Sequence, residues 1–179
     1  MRKEKFLTVM AILDEDTQAV LHEIQDEFNR LYGEDIFTTR QYEGDEVVTP
    51  LPFHISLGSY APEERDTIIS RMKRVARETT RFPVTLSGYG HFGEKIRFVA
   101  PQKDEKLLSL RKLFNSDYAG IFPEWIPHIT VYIHEEPTKL ELPAHLLAKL
   151  ETIKNPQIVG IELGEFFPGK KIIRVIFEK

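Results

Sequence analysis

Phe53-His54-Ile55-Ser56-Leu57 is answered 74 residues later by Pro127-His128-Ile129-Thr130-Val131, and both stretches read His-x-(Ser/Thr)-x. Side chains along a β-strand alternate between its two faces. As strands, the two stretches set His54 beside Ser56 and His128 beside Thr130, while Ile55, Leu57, Ile129 and Val131 anchor the opposite face. Each unit offers an imidazole and a hydroxyl on one side. Brought together, they would supply two proton-transfer groups flanked by two hydrogen-bond donors.

Upstream of the first stretch, the continuous apolar run Phe6–Leu13 suits a buried strand. Asp14, Glu15 and Asp16 are acids of the kind that open a helix. Val20, Ile24, Phe28 and Tyr32 then recur at helical spacing as far as Gly33, a C-terminal cap. The polar segment 35–52 reads as a loop with a short strand near Val47-Val48; Arg40 and Gln41 are its candidate anion contacts. After Gly58-Ser59-Tyr60, Pro62 opens a helix striped by Ile68, Ile69, Met72, Val75 and Ala76. Arg71, Lys73, Arg74 and Arg77 read as its solvated face. Phe82–Leu86 and Ile96–Val99 are expected to pair as a hairpin across the glycine-rich Gly88–Gly93. Lys103–Asn115 is helical by the spacing of Leu107, Leu110 and Phe114. A loop over Ala119–Ile126, with Phe122, Pro123 and Trp125, leads into the second stretch. A helix at Pro143–Ile153 and a hairpin of Ile158–Leu163 with Ile172–Phe177, turning at Phe167-Pro168-Gly169, complete the chain.

That order contains a repeat. Motif strand, helix and hairpin follow one another at about 53–100 and again at about 127–178, and an offset of 76 lays Gly88 on Gly164, Gly93 on Gly169, Lys95 on Lys171 and Val99 on Val175. A His-x-(Ser/Thr) triplet arises easily by chance. Two at matching positions of one duplicated unit do not. Duplicated units pack about a pseudo-twofold axis much as identical subunits do, which would bring the two triplets to a common cleft. The expectation is a single bilobal domain over 1–179: an α+β fold of two antiparallel sheets flanking a cleft, with helices on the outer faces.

Composition narrows the chemistry. The chain of 179 residues has 41% hydrophobic and 29% charged residues, ordinary for a globular protein long enough to bury a core. A formal charge of −4 gives no overall basic footprint for long duplex nucleic acid, though a nucleotide or an RNA end needs only a local site. There is no cysteine, so thiolate ligands, disulfides and cysteine nucleophiles are excluded. No stretch has the character of a signal peptide or membrane span, and the expected location is the cytoplasm, as a monomer with no membrane partner.

The paired triplets resemble those of the 2H phosphoesterase superfamily, which includes RNA 2′,5′-ligase-like proteins and cyclic nucleotide phosphodiesterases. His54-Ile55-Ser56-Leu57 and His128-Ile129-Thr130-Val131 fit its two motifs, and the order of helix and hairpin after each fits as well. The resemblance implies phosphodiester chemistry without metal or other cofactor. One histidine would be general base, the other general acid, and Ser56 and Thr130 would hold the phosphate oxygens. The expected partner is a nucleotide or RNA-end substrate. Where the bacterial RNA-ligase branch often carries an arginine soon after a motif, this chain has Gly58-Ser59-Tyr60 and Tyr132-Ile133-His134, which weighs against long-RNA or tRNA-end specificity. Tyr132, Tyr60 and Trp125 are the aromatics nearest the motifs and the candidates for stacking on a base, Tyr132 first because simple alternation puts it on the histidine face.

The remaining histidines read as ordinary: His22 on a helix surface, His91 in a hairpin turn, His134 at a strand end, His145 at a helix start. Three other functions compete. A metal site on His54 and His128 lacks a third ligand at a recognisable spacing. Ligation of 2′,5′ linkages uses the same groups. A non-catalytic nucleotide- or RNA-binding module would have no need of two proton-transfer groups.

Overall fold

The apolar run Phe6–Leu13 forms β1, buried along nearly its whole length in the middle of a sheet. Asp14 ends it and caps the next helix, α1 (Glu15–Tyr32), by accepting from the Thr17 amide at 2.9 Å. Leu21, Ile24 and Phe28 are the buried stripe of α1, and Gly33, with φ of 95°, closes it. The first motif is β2 (His54–Tyr60), antiparallel to β1. A 3₁₀ turn at Pro62–Glu64 leads into α2 (Arg65–Glu78), which buries Ile68, Met72, Val75 and Ala76. The computed structural model describes residues 4–34, 51–120, 124–134, 136, 141–166 and 169–178. The expected strand at Val47-Val48, the contacts of Arg40 and Gln41, and the turn residues Phe167-Pro168 lie outside them.

The next segment departs from the sequence expectation. Phe82–Pro83 (β3) pairs with a strand of the first sheet, while the hairpin partner of β5 (Ile96–Pro101) is β4 (Leu86–Phe92). Gly88–Gly93 is therefore mostly strand, and His91 sits in it opposite Arg97 rather than in a turn. Gly90 is a glycine for packing. A Cβ there would lie 2.3 Å from the Phe98 ring. After α3 (Glu105–Leu113), capped by Asp104, comes β6 (Ile129–Ile133), which His128 directly precedes. The chain ends with α4 (Ala144–Glu151) and the hairpin of β7 (Gln157–Phe166) and β8 (Lys170–Ile176).

Among the described residues these elements make two antiparallel sheets with four helices. One sheet has the order β2-β1-β7, with β3 and β8 along the far side of β7; the other is β4-β5-β6. The sheets do not divide as the expected repeat would: the hairpin of β4 and β5 pairs with β6 of the second motif, and the hairpin of β7 and β8 joins the sheet of the first motif. Leu7, Val9, Ala11 and Leu13 of β1 meet Leu21, Ile24 and Phe28 of α1 in the core, with Ile55 and Leu57 from β2. Thr8, Met10 and Ile12 point to the other face, the one His54 and Ser56 share. No helix among the described residues is long and apolar enough to cross a membrane.

Candidate functional site

Both motif strands are edges, β2 of the first sheet and β6 of the second, and the two edges adjoin. His54 and Ser56 stand opposite Ile12 and Met10, two residues apart on one face. Thr130 stands opposite Phe98, whose ring packs against His128 at 5.6 Å between centroids; Phe92 meets the same imidazole edge-on at 4.9 Å. The hydroxyl and imidazole of each motif thus share a side, as strand alternation predicts.

The two histidines are held in the same way. His54 Nδ1 lies 2.8 Å from the carbonyl oxygen of Pro52, and His128 Nδ1 lies 2.7 Å from that of Ile126, each two residues back along the chain. A carbonyl oxygen only accepts, so Nδ1 carries the proton in both rings and Nε2 carries the lone pair. Burial pushes His54 down to about 4, against the opposing pull of its bond to Pro52, and charge on His128 lowers it further. Burial lowers His128 as well, with the Ile126 carbonyl again opposing.

A second correspondence lies one residue beyond each hydroxyl. In the β1–β2 ladder, Met10 pairs with Ser56 and Val9 with Gly58, leaving Leu57 extra. In the β5–β6 ladder, Phe98 pairs with Thr130 and Arg97 with Tyr132, leaving Val131 extra. These β-bulges fall at equivalent positions of the two motifs, and a bulge bends its strand and breaks simple alternation.

That break corrects the expectation for two aromatics. Tyr132 does not share the histidine face: it is fully buried, stacked on Phe28 at 5.2 Å, with its hydroxyl donating to Gly33 O at 2.8 Å. Tyr60, opposite the core residue Leu7, is buried too. Neither has a face open to a base. Trp125 is half-buried beside the site, donating Nε1–H to the Ser56 carbonyl at 2.9 Å, with the Arg111 guanidinium over its ring at 5.5 Å. His22 is exposed, with its ring edge on Phe53. His145 is on the surface, its Nε2 2.7 Å from Glu27.

The first motif has supports that sequence reasoning missed. The Gln18 side chain on α1 brackets Phe53, accepting from its amide at 2.9 Å and donating to its carbonyl at 2.6 Å, so the peptide just before His54 is fixed. A polar helix residue 35 positions upstream gives no sequence signal of this. The outer edge of β2 is closed by the segment after α3: Ser59 N donates to Ser116 O, Tyr118 N to Ser59 O, and Ala119 N to Ser59 Oγ. Among the described residues no group of three histidine, aspartate or glutamate side chains is placed to hold a metal ion.

Residues 23–158 match the family model of the 2′-5′ RNA ligase superfamily. No curated protein matches the sequence. Among solved structures, E. coli LigT without ligand is similar at a TM-score of 0.56 and 15% identity, covering 99% of this chain and 100% of LigT. E. coli LigT complexed with 3′-AMP is similar at 0.56 and 13%, and complexed with NADP+ at 0.57 and 12%, each with the same coverage. At these identities the likeness is one of fold: an α+β arrangement of two antiparallel sheets.

Proposed function

We infer the function from the family: the chain belongs to the 2′-5′ RNA ligase superfamily, the 2H phosphoesterases, and we propose that it is a metal-independent phosphodiesterase acting on a cyclic or linear phosphodiester of a nucleotide or RNA end. The observation that carries this reading is the matched pair of Nδ1-to-carbonyl bonds at His54 and His128. Each leaves Nε2 as the working nitrogen. With one ring neutral and the other protonated, the first takes the proton of the attacking water as its oxygen bonds phosphorus, and the second gives a proton to the departing sugar oxygen. Ser56 and Thr130 donate to the non-bridging phosphate oxygens as negative charge builds there. The two bulges support these roles by bending each strand just after its hydroxyl.

Low histidine pKa values suit such a pair. A substrate phosphate brings negative charge between the imidazoles and restores the proton to one of them, so acid and base are both ready when substrate is bound. LigT complexed with 3′-AMP and with NADP+ supports a nucleotide ligand. With no cysteine the chain depends on no disulfide, which is compatible with a reducing compartment, and we propose that it acts in the cytoplasm as a monomer. With the 5′-hydroxyl of a second RNA end in place of water, the same groups would open a 2′,3′-cyclic phosphate to a 2′,5′ linkage, one histidine taking the hydroxyl proton and the other giving a proton to the departing 3′ oxygen.

Incubation with 2′,3′-cyclic nucleotides and with short 2′,5′- and 3′,5′-linked oligonucleotides in EDTA tests the reading. Turnover of at least one of these is expected. Activity that disappears in EDTA and returns with a divalent metal would overturn the mechanism, and no turnover of any would overturn the substrate class.

A further inference from the structure

Glu162 is an anomaly. It sits mid-strand in β7, wholly inaccessible to solvent, on the sheet face shared by His54 and Ser56: cross-strand register runs Ser56, Met10, Glu162, Arg174 across β2, β1, β7 and β8. Residues directly opposed in antiparallel strands project from the same face, so the motif face ends in a charged pair. A carboxylate so buried is costly unless both its oxygens are engaged. Here Arg174 Nε donates to Oε2 at 2.6 Å, while Oε1 is buried with no partner among the described residues.

Arg174 is differently placed. Its side chain keeps 38% of its surface exposed, and the bond to Glu162 uses one of the five N–H groups of a guanidinium. That bond draws the side chain back over β7, toward the motif strand, and tethers its terminal fork at Nε. Lys171, opposite Gly164, adds an exposed ammonium to the same face. The local balance of Glu162, Arg174 and Lys171 is positive. A planar fork held in place, beside a second cation, is the arrangement that recognises a phosphate with two parallel hydrogen bonds. Two strand spacings separate Ser56 from Glu162, about 10 Å. Two phosphates flanking one nucleoside bridge that span when each lies one hydrogen bond from its protein partner, Ser56 at one end and the Arg174 fork, drawn over β7, at the other.

We propose that Arg174, oriented by Glu162, binds a second phosphate of the substrate, on the far side of the nucleoside from the reacting phosphate. The substrate class is thereby narrowed to nucleotides phosphorylated on both sides of the sugar, such as a 5′-phosphorylated cyclic nucleotide or the end of an oligonucleotide. This rests on the phosphodiesterase reading for the identity of the reacting group.

Calorimetric titration of the full chain with a nucleoside 3′-monophosphate and the corresponding 3′,5′-bisphosphate tests it through the ratio of the two affinities. Wild type is expected to favour the bisphosphate at least tenfold. Arg174→Lys, which keeps a charge opposite Glu162 but loses the fork, is expected to lose most of that preference. The double variant Glu162→Gln/Arg174→Met, which leaves no unpaired carboxylate to unfold the sheet, is expected to bring the ratio to about one. No preference in wild type, or a preference unchanged in both variants, overturns the subsite while leaving turnover of cyclic nucleotides intact. A preference that depends on Arg174 in a protein that turns over no phosphodiester upholds the subsite and overturns the reaction instead.

Discussion

Trp125 donates its indole N–H to the backbone carbonyl of Ser56 at 2.9 Å, so the approach to the second motif is tied to the strand of the first. The bond satisfies an edge carbonyl of β2 that its own sheet does not use, and holds the Ser56 peptide beside the cleft. Trp125→Phe keeps the ring and removes the donor. It is expected to lower stability by about 1 kcal/mol and kcat/KM on a cyclic nucleotide by about tenfold, which corresponds to about 1.4 kcal/mol of transition-state stabilisation. Denaturant titration and steady-state rates read the two effects separately.

The histidines set the pH behaviour of stability. His54 titrates at 6.5 when unfolded and at about 4 when folded, because burial disfavours its charged form. Between those values the unfolded chain binds more protons. The contribution of the neutral imidazole is therefore complete above pH 6.5 and is lost as pH falls toward 4. His54→Ala is expected to flatten the acid limb of the stability curve by up to about 3 kcal/mol. Equilibrium unfolding from pH 7.5 to 4.5 measures the difference in slope between the two proteins.

Activity follows from the same two groups. On the proposed mechanism one imidazole is neutral and the other protonated, and kcat/KM peaks between the two free-enzyme values whichever ring plays which part. Both are lowered from 6.5, His54 the further. The optimum of kcat/KM is therefore expected below pH 6.5, with activity falling through neutrality into the alkaline range. A pH–rate profile on a 2′,3′-cyclic nucleotide checks it; a maximum at pH 8 would contradict the burial argument.

Gly58 follows the first bulge and lies against the segment after α3. A Cβ there would stand 1.9 Å from Phe114 O and 3.1 Å from Ser116 O, both backbone atoms with little room to give. Gly58→Ala is expected to destabilise by about 3 kcal/mol, read as a lower denaturant midpoint.

Much of this arrangement was legible in the sequence, because it depends on local periodicity. The apolar run of β1, the capped stripe of α1 and the alternation around His54 and His128 all declare themselves within a few residues. The bulges do not. Leu57 and Val131 look like ordinary inward residues of their strands, and only the ladders to β1 and β5 reveal the extra residue that turns Tyr132 away from the cleft. Sheet membership was hidden for a similar reason: the pairing of β3 with β7 joins residues far apart in the chain. Gln18 and Glu162 were invisible because their importance comes from partners on other elements. The placement of Tyr132 carries its own test. Tyr132→Phe, which gives up the bond to Gly33, is expected to lower stability by about 1 kcal/mol, a Tm fall of about 2–4 °C at this chain length, with kcat/KM within about twofold of wild type.

The central claim is that His54 and His128 are the two proton-transfer groups of one phosphodiester site. Hydrolysis of a 2′,3′-cyclic nucleotide in EDTA by wild type, His54→Ala and His128→Ala tests it most directly, with thermal unfolding confirming that each variant folds. Each substitution is expected to lower kcat by about 10²–10⁴, and the double variant by little more than either alone, since the two act as a unit. Wild-type turnover in either single variant would contradict it.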